Sequence, residues 1–144
     1  MSTAADRPLT PIRKGLISEP IDSPEAFRLL GSKCGTCGEL SIGTNAVCLN
    51  CGGSDLSTVR LSPEGILWTF TIVRHAPPGD YRGPKPFAPF GLGLIELPDG
   101  VRIMAPLEGD IDTFRIGARM RLNLKVLDAD SPAPLAAFSF SMIG

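Results

Sequence analysis

The sequence predicts a mostly β chain in two parts, a small four-cysteine metal ribbon followed by a five-stranded barrel. Three observations carry that expectation. Four cysteines stand as two Cys-x-x-Cys pairs, Cys34–Cys37 and Cys48–Cys51, separated by ten residues. After residue 57 the apolar residues recur with period two, as on strands with one buried face. Sixteen glycines and 14 prolines in 144 residues supply the turns that many short strands require.

Residues 1–22 carry Pro8, Pro11 and Pro20 without an amphipathic period and read as an extended arm that orders on a partner. A short helix is expected next, within a segment 23–56 that also holds the ribbon. Ser23 suits an N-cap, Pro24 the first helical position and Gly31 the stop. Its apolar residues, Ala26, Phe27, Leu29 and Leu30, need something to pack against.

The ribbon proper is expected at about 33–56, with Leu40, Ile42 and Val47 as the apolar contacts of its hairpin. Within each cysteine pair the two-residue spacer turns both sulfurs toward one ion. Gly38 and Gly52 permit the tight turn and the close approach of backbone N–H groups to sulfur. Four soft thiolates without histidine favour zinc or iron. The ten-residue spacer suits a compact, rubredoxin-like zinc ribbon better than an iron site, whose pairs lie farther apart. The expectation is one Zn²⁺ on Cys34, Cys37, Cys48 and Cys51. Four protein ligands leave no open position, so the ion is structural. Such sites contribute roughly 10–16 kcal/mol of apparent binding free energy, which becomes folding free energy. Two disulfides would need an oxidising compartment. Met1 to Thr10 hold no apolar signal core, so a cytoplasmic location is expected.

Residues 57–144 are expected to form the barrel. Ile66, Trp68, Phe70 and Ile72 alternate with Leu67, Thr69, Thr71 and Val73, which predicts a strand with Trp68 and Phe70 filling the interior. Gly91–Leu97 and Val101–Leu107 are the next two strands, joined by the turn chemistry of Pro98-Asp99-Gly100. In 119–127, Met120, Leu122, Leu124 and Val126 point in, while Arg119, Arg121, Asn123 and Lys125 point out. Phe138, Phe140 and Met142 alternate with Ser139 and Ser141 in the fifth strand, which reads as core. A non-strand segment, Asp110 to Gly117, follows the third strand. Five strands with an insertion there give the order of an OB-fold barrel, which also removes most exposed edges, with an SH3-like barrel or a small sandwich as the alternatives.

One connection is long. Ala76 to Pro89 spans 14 residues with five prolines, where hairpin loops usually have 2–5 residues. It presents Tyr81 and Phe87 beside Arg82 and Lys85, a set suited to a protein interface or a nucleotide-bearing ligand such as coenzyme A. No apolar run reaches the ~20 residues that span a bilayer, so no membrane partner is expected. The formal net charge is −1, and four thiolates with a divalent cation take it to −3. Nucleic-acid binders carry a basic excess or stripe instead.

The ordered combination resembles a known family, the zinc-ribbon/OB-fold proteins that are small accessory partners of thiolase-like and aldolase enzymes acting on acyl-CoA. The resemblance runs from about Phe27 to Phe140. It rests on Leu29 to Cys34 leading into the first knuckle, on Cys48-Leu-Asn-Cys51-Gly52, and on Gly65-Ile-Leu-Trp-Thr-Phe-Thr71. Val73-Arg74-His75-Ala76-Pro77 and Ile116-Gly117 complete it. The long proline-rich loop and the short N-terminal helix depart from the family pattern.

The resemblance implies a non-catalytic subunit that stabilises a thiolase-like catalytic partner in a hetero-oligomer, and that helps hold a CoA thioester. Thiolases acting on aromatic acyl-CoA intermediates are the subgroup it suggests. The residues agree, since the four cysteines are used by one site and no nucleophile–base pair or nucleophile elbow is visible. CoA phosphates would need cations, and Arg74, Arg82 and Lys85 are the local choices, with His75, Tyr81 and Phe87 as further contacts. The alternative is a module for single-stranded nucleic acid, which would need stacking aromatics on a positive groove. Arg119, Arg121 and Lys125 could form such a strip, but the acidic balance opposes it.

Overall fold

A computed structural model describes residues 9–19, 21, 26–79, 86–127 and 130–143, and every regular element among them is a strand. In chain order these are β1 (Thr10–Pro11), β2 (Leu30–Cys34), β3 (Leu40–Ile42), β4 (Leu56–Arg60) and β5 (Glu64–Val73). They continue with β6 (Phe90–Glu96), β7 (Arg102–Glu108), β8 (Arg119–Leu127) and β9 (Leu135–Met142).

The last five strands make the barrel. β6 pairs antiparallel with β5 and β7, β5 with β8, and β8 with β9 over the whole of β9. The ring closes where β9 runs parallel to β7, with Leu107 opposite Phe140 and Glu108 opposite Ser141. This is the five-stranded OB closure that the period-two segments predicted. Gly100, at φ 100°, supports the β6–β7 turn, where its N–H donates to Leu97 O at 3.0 Å. From the 110–117 segment, Phe114 packs into the barrel edge-on to Phe70, with ring centroids 5.9 Å apart.

The inward face of β5 differs from the expected one. Leu67 is fully buried, whereas Ile66 and Trp68 are 41% and 47% exposed. The cause is a bulge. Leu67 pairs with Ile95 and Thr69 with Leu94, which leaves Trp68 as the extra residue. One inserted residue inverts the phase of the pleat. Gly65 and Leu67 therefore point inward before the bulge, and Phe70 and Ile72 join the core after it. On β8, Met120 and Leu122 are buried and Leu124 packs on the core as expected, but Val126 is exposed.

The ribbon is a three-stranded antiparallel sheet in the order β3-β2-β4. β4 pairs along all of β2, from Leu30 opposite Arg60 to Cys34 opposite Leu56. The expected helix is not found from residue 26 on, and its start, including Ser23 and Pro24, lies outside the described residues. Leu29 forms a bridge with Ile17, and Leu30 already begins β2. Gly31 is a packing glycine rather than a helix stop, since a Cβ there would lie 2.9 Å from the Ser41 carbonyl oxygen.

The expected extended arm is in part built into the fold. β1 runs parallel to β9, and Ile12 N–H donates to Ala136 O at 2.8 Å. Leu16 and Ile17 are buried in one cluster with Phe27, Leu29, Leu61 and the barrel residues Leu67, Met120 and Phe140. Ribbon base and barrel thus share a single core. At the ribbon hairpin Leu40 and Ile42 pack against that core, whereas Val47 stands exposed.

Candidate metal centre and its surroundings

The four cysteines converge. Their sulfurs all lie within 4.8 Å of one another, with Cys34 and Cys51 at 3.7 Å and Cys37 and Cys48 at 3.6 Å. A disulfide would bring two sulfurs to ~2.05 Å. A tetrahedron with metal–sulfur bonds of ~2.3 Å has edges of ~3.8 Å, so the observed separations fit one four-thiolate ion.

Each knuckle is shaped by its own backbone. Gly38 N–H donates to Cys34 O at 3.0 Å and Gly52 N–H to Cys48 O at 2.9 Å, and both glycines take positive φ near 80° (79° and 76°). The turn aims further N–H groups at sulfur. Thr36 and Cys37 donate to Cys34 Sγ at 3.4 and 3.5 Å, and Asn50 and Cys51 donate to Cys48 Sγ at 3.4 Å each. Gly53 N–H reaches Cys51 Sγ at 3.4 Å, and Asn50 Nδ2 reaches Cys37 Sγ at 3.6 Å. The first knuckle is held on the β3 side by Cys34 N–H to Glu39 O and on the β4 side by Gly35 N–H to Asp55 O, while Cys48 N–H donates to Gly53 O in the second.

These bonds set the thiol chemistry. The Cys37 N–H, followed by the Thr36 N–H, lowers the Cys34 thiol to about 6. Cys48 is lowered likewise by the N–H groups of Cys51 and Asn50. At Cys51 the Gly53 N–H favours the thiolate, but the Cys34 and Cys37 sulfurs and burial outweigh it and push the group up to about 12. Four sulfurs this close cannot all ionise without a cation to neutralise them, and a divalent ion reverses that repulsion. Cys34 and Cys48 are buried while Cys37 and Cys51 are exposed, so an ion here would sit just beneath the surface.

Known proteins place this arrangement. Residues 58–125 match the family description "ChsH2, C-terminal OB-fold domain". A "DUF35 domain-containing scaffold protein" of Pyrococcus furiosus is 31% identical over 101 residues, 69% of each chain. The chain belongs to this DUF35 family. The DUF35 chain is also 31% identical over 131 residues to "Benzoylsuccinyl-CoA thiolase subunit BbsA" of Thauera aromatica, which covers 89% of this chain and 85% of the relative. Among solved structures it resembles an "Ltp2-ChsH2(DUF35) aldolase", with a TM-score of 0.60 and 27% identity over 80% of this chain and 84% of that one.

Outside the knuckles, three of the residues considered for ligand contact on this DUF35 chain, Arg74, His75 and Phe87, are among the described residues. Arg74 and His75 are exposed just past the end of β5. Phe87 is half-buried, edge-on to Phe90 with centroids 6.2 Å apart. Tyr81, Arg82 and Lys85 lie outside the described residues. The cations of β8 do not form a bare strip. Arg119 and Arg121 reach Glu64 at 3.2 and 3.6 Å, and Lys125 reaches Glu108 at 3.2 Å. Sequence reading missed the pair Trp68–Arg102, in which the guanidinium stacks 4.0 Å above the indole on the outside of the barrel. The missing signal was the bulge, which only the cross-strand register reveals.

Proposed function

We propose that this chain is the non-catalytic accessory subunit of an acyl-CoA-processing thiolase, held in shape by one structural zinc ion. The likeness to a thiolase subunit over 85% of that relative carries the reading. The scaffold relative and the aldolase assembly support the same role. The substrate class is proposed to be an aromatic acyl-CoA thioester, after the benzoylsuccinyl-CoA thiolase to which the chain is similar.

Cys34, Cys37, Cys48 and Cys51 would hold the zinc. The ion supplies charge neutralisation and cross-linking; it fixes the ribbon whose base shares a core with the barrel. A cytoplasmic setting would keep the four thiols reduced for the metal. Among the described residues no helix is long and apolar enough to cross a membrane. For CoA, the proposed contacts are Arg74 and His75 at the foot of the proline-rich loop, with Tyr81, Arg82, Lys85 and Phe87 along it. Cations there would meet the 3′-phosphate and diphosphate.

The test is capture of the tagged chain from its own cells, with the co-purifying proteins identified by mass spectrometry and metal measured on the same sample. A stoichiometric thiolase-superfamily subunit and one zinc per chain are expected. A zinc-loaded chain without any acyl-CoA enzyme would overturn the reading.

A further inference from the structure

The outer wall of the barrel on β5, β6 and β7 carries an apolar patch with paired charges at its rim. On β6, Gly91, Gly93 and Ile95 are buried, so Leu92 and Leu94 point outward, and neither belongs to the core cluster. The register sets Leu94 opposite Thr69 and Met104, and Leu92 opposite Thr71 and Pro106. Met104 is 63% exposed, and Ile66 and the bulged Trp68 stand on the same wall. At Ile66 the wall runs into a cavity of about 290 Å³, lined further by Leu97 and Pro98 between Glu64 and Arg119.

The charges of this wall cancel locally. Arg102 Nε meets Glu96 Oε2 at 3.0 Å while its guanidinium covers Trp68, and Arg119 meets Glu64. A polyanion gains little attraction from such a surface, because its affinity depends on unpaired cations. A neutral protein surface fits it better. Trp, Met and Arg are the residues enriched where protein interfaces are fully buried, and Trp and Arg lead among energetic anchors. Farther along β8, Arg121 and Lys125 offer the contrast, solvated and ion-paired. The bulge that turns Trp68 outward interrupts the β5–β6 ladder and leaves a large ring half in water. Covering that ring with a partner recovers apolar burial that the isolated chain forgoes.

We infer that this wall docks the catalytic acyl-CoA subunit, with Trp68 and Met104 as anchors and the cavity beside Ile66 receiving a partner side chain. The inference rests on the accessory-subunit reading, which supplies the occupant. Photo-crosslinking in the organism's own cells tests it. A benzophenone amino acid is placed at position 104 of the full chain, and separately at position 121 on the β8 wall, and crosslinked proteins are identified by mass spectrometry.

The expected result is a thiolase-superfamily subunit crosslinked several-fold more from position 104 than from position 121. Met104→Glu should weaken binding of that purified subunit at least ~30-fold, the loss of one anchor residue. Its metal content and thermal midpoint should stay unchanged. Crosslinking of the same subunit from position 121 but not 104, or unchanged affinity of Met104→Glu, overturns the docking wall and leaves the accessory reading intact. Crosslinks between two copies of this chain, with a dimer dissolved by Met104→Glu, assign the wall to self-association and also overturn it. An acyl-CoA enzyme that co-purifies with the tagged chain but crosslinks from neither position overturns the docking wall alone, whereas one that does not co-purify overturns the accessory reading as well.

Discussion

The bulge in β5 makes a quantitative prediction, because it exchanges the roles of two adjacent residues. Leu67 is fully buried among Ile95, Leu97 and Met120 in the core cluster. Leu67→Ala should therefore cost about 2.7–5 kcal/mol, the transfer free energy of the lost atoms plus the cavity left behind. At about 2–4 °C per kcal/mol for a chain of this size, the midpoint falls by roughly 5–20 °C. Trp68→Ala removes only the Arg102 stack, about 0.5–1 kcal/mol, and partial ring contacts, for a total of about 1–2 kcal/mol. A regular strand would reverse the order, with Trp68→Ala at about 3–5 kcal/mol and Leu67→Ala within about 0.5. Equilibrium urea denaturation of the metal-loaded chain, followed by far-ultraviolet circular dichroism, measures both. Trp68 is the single tryptophan, so iodide quenching of its fluorescence gives an independent readout of exposure. A larger loss for Trp68→Ala than for Leu67→Ala, with an unquenchable indole, would refute the bulge and the outward face derived from it.

Cys48→Ser should abolish stoichiometric zinc by inductively coupled plasma mass spectrometry and lose complex formation, because the ribbon no longer folds; a metal-free variant that still associates would contradict the scaffold role. Gly65→Ala should cost about 1–3 kcal/mol in the same denaturation assay. Its Cβ would lie 2.5 Å from the Glu96 carbonyl oxygen on the neighbouring strand, where backbone must move. Arg82→Ala with Lys85→Ala should raise the KM for acyl-CoA in the assembled enzyme at least ~5-fold, a loss of about 1 kcal/mol, while zinc content holds. Unchanged kinetics would remove CoA from the loop.

What could be read from the sequence was what local spacing determines. The cysteine pairs declare themselves because two residues between sulfurs suffice to make a knuckle, and the sulfurs converge as expected. β6 to β9 were legible because one face of each meets the core, and the order of strands around the insertion predicted the closure. Three features were hidden for a common reason, that distant pairing decides them. Trp68 and Ile66 face outward because of a register shift against Leu94 and Ile95. Phe27 to Gly31 carry local helix signals, but Ile17, β3 and β4 draw them into extended structure. Residues 10–12 are held by β9, more than 120 positions away.

That last strand has a consequence for how the chain is made. β9 pairs with β1, β7 and β8, so no barrel exists until residues 135–142 have left the ribosome. Contacts of such long sequence separation slow folding and leave apolar strands uncovered during synthesis. The ribbon has no such delay, since β2, β3 and β4 lie within 31 consecutive residues, 30–60. Metal loading can therefore precede barrel closure, giving the emerging chain an early folded nucleus. Withholding the proposed zinc during translation should leave this protein aggregated, and chelating it after synthesis should unfold the ribbon and loosen the core it shares with the barrel.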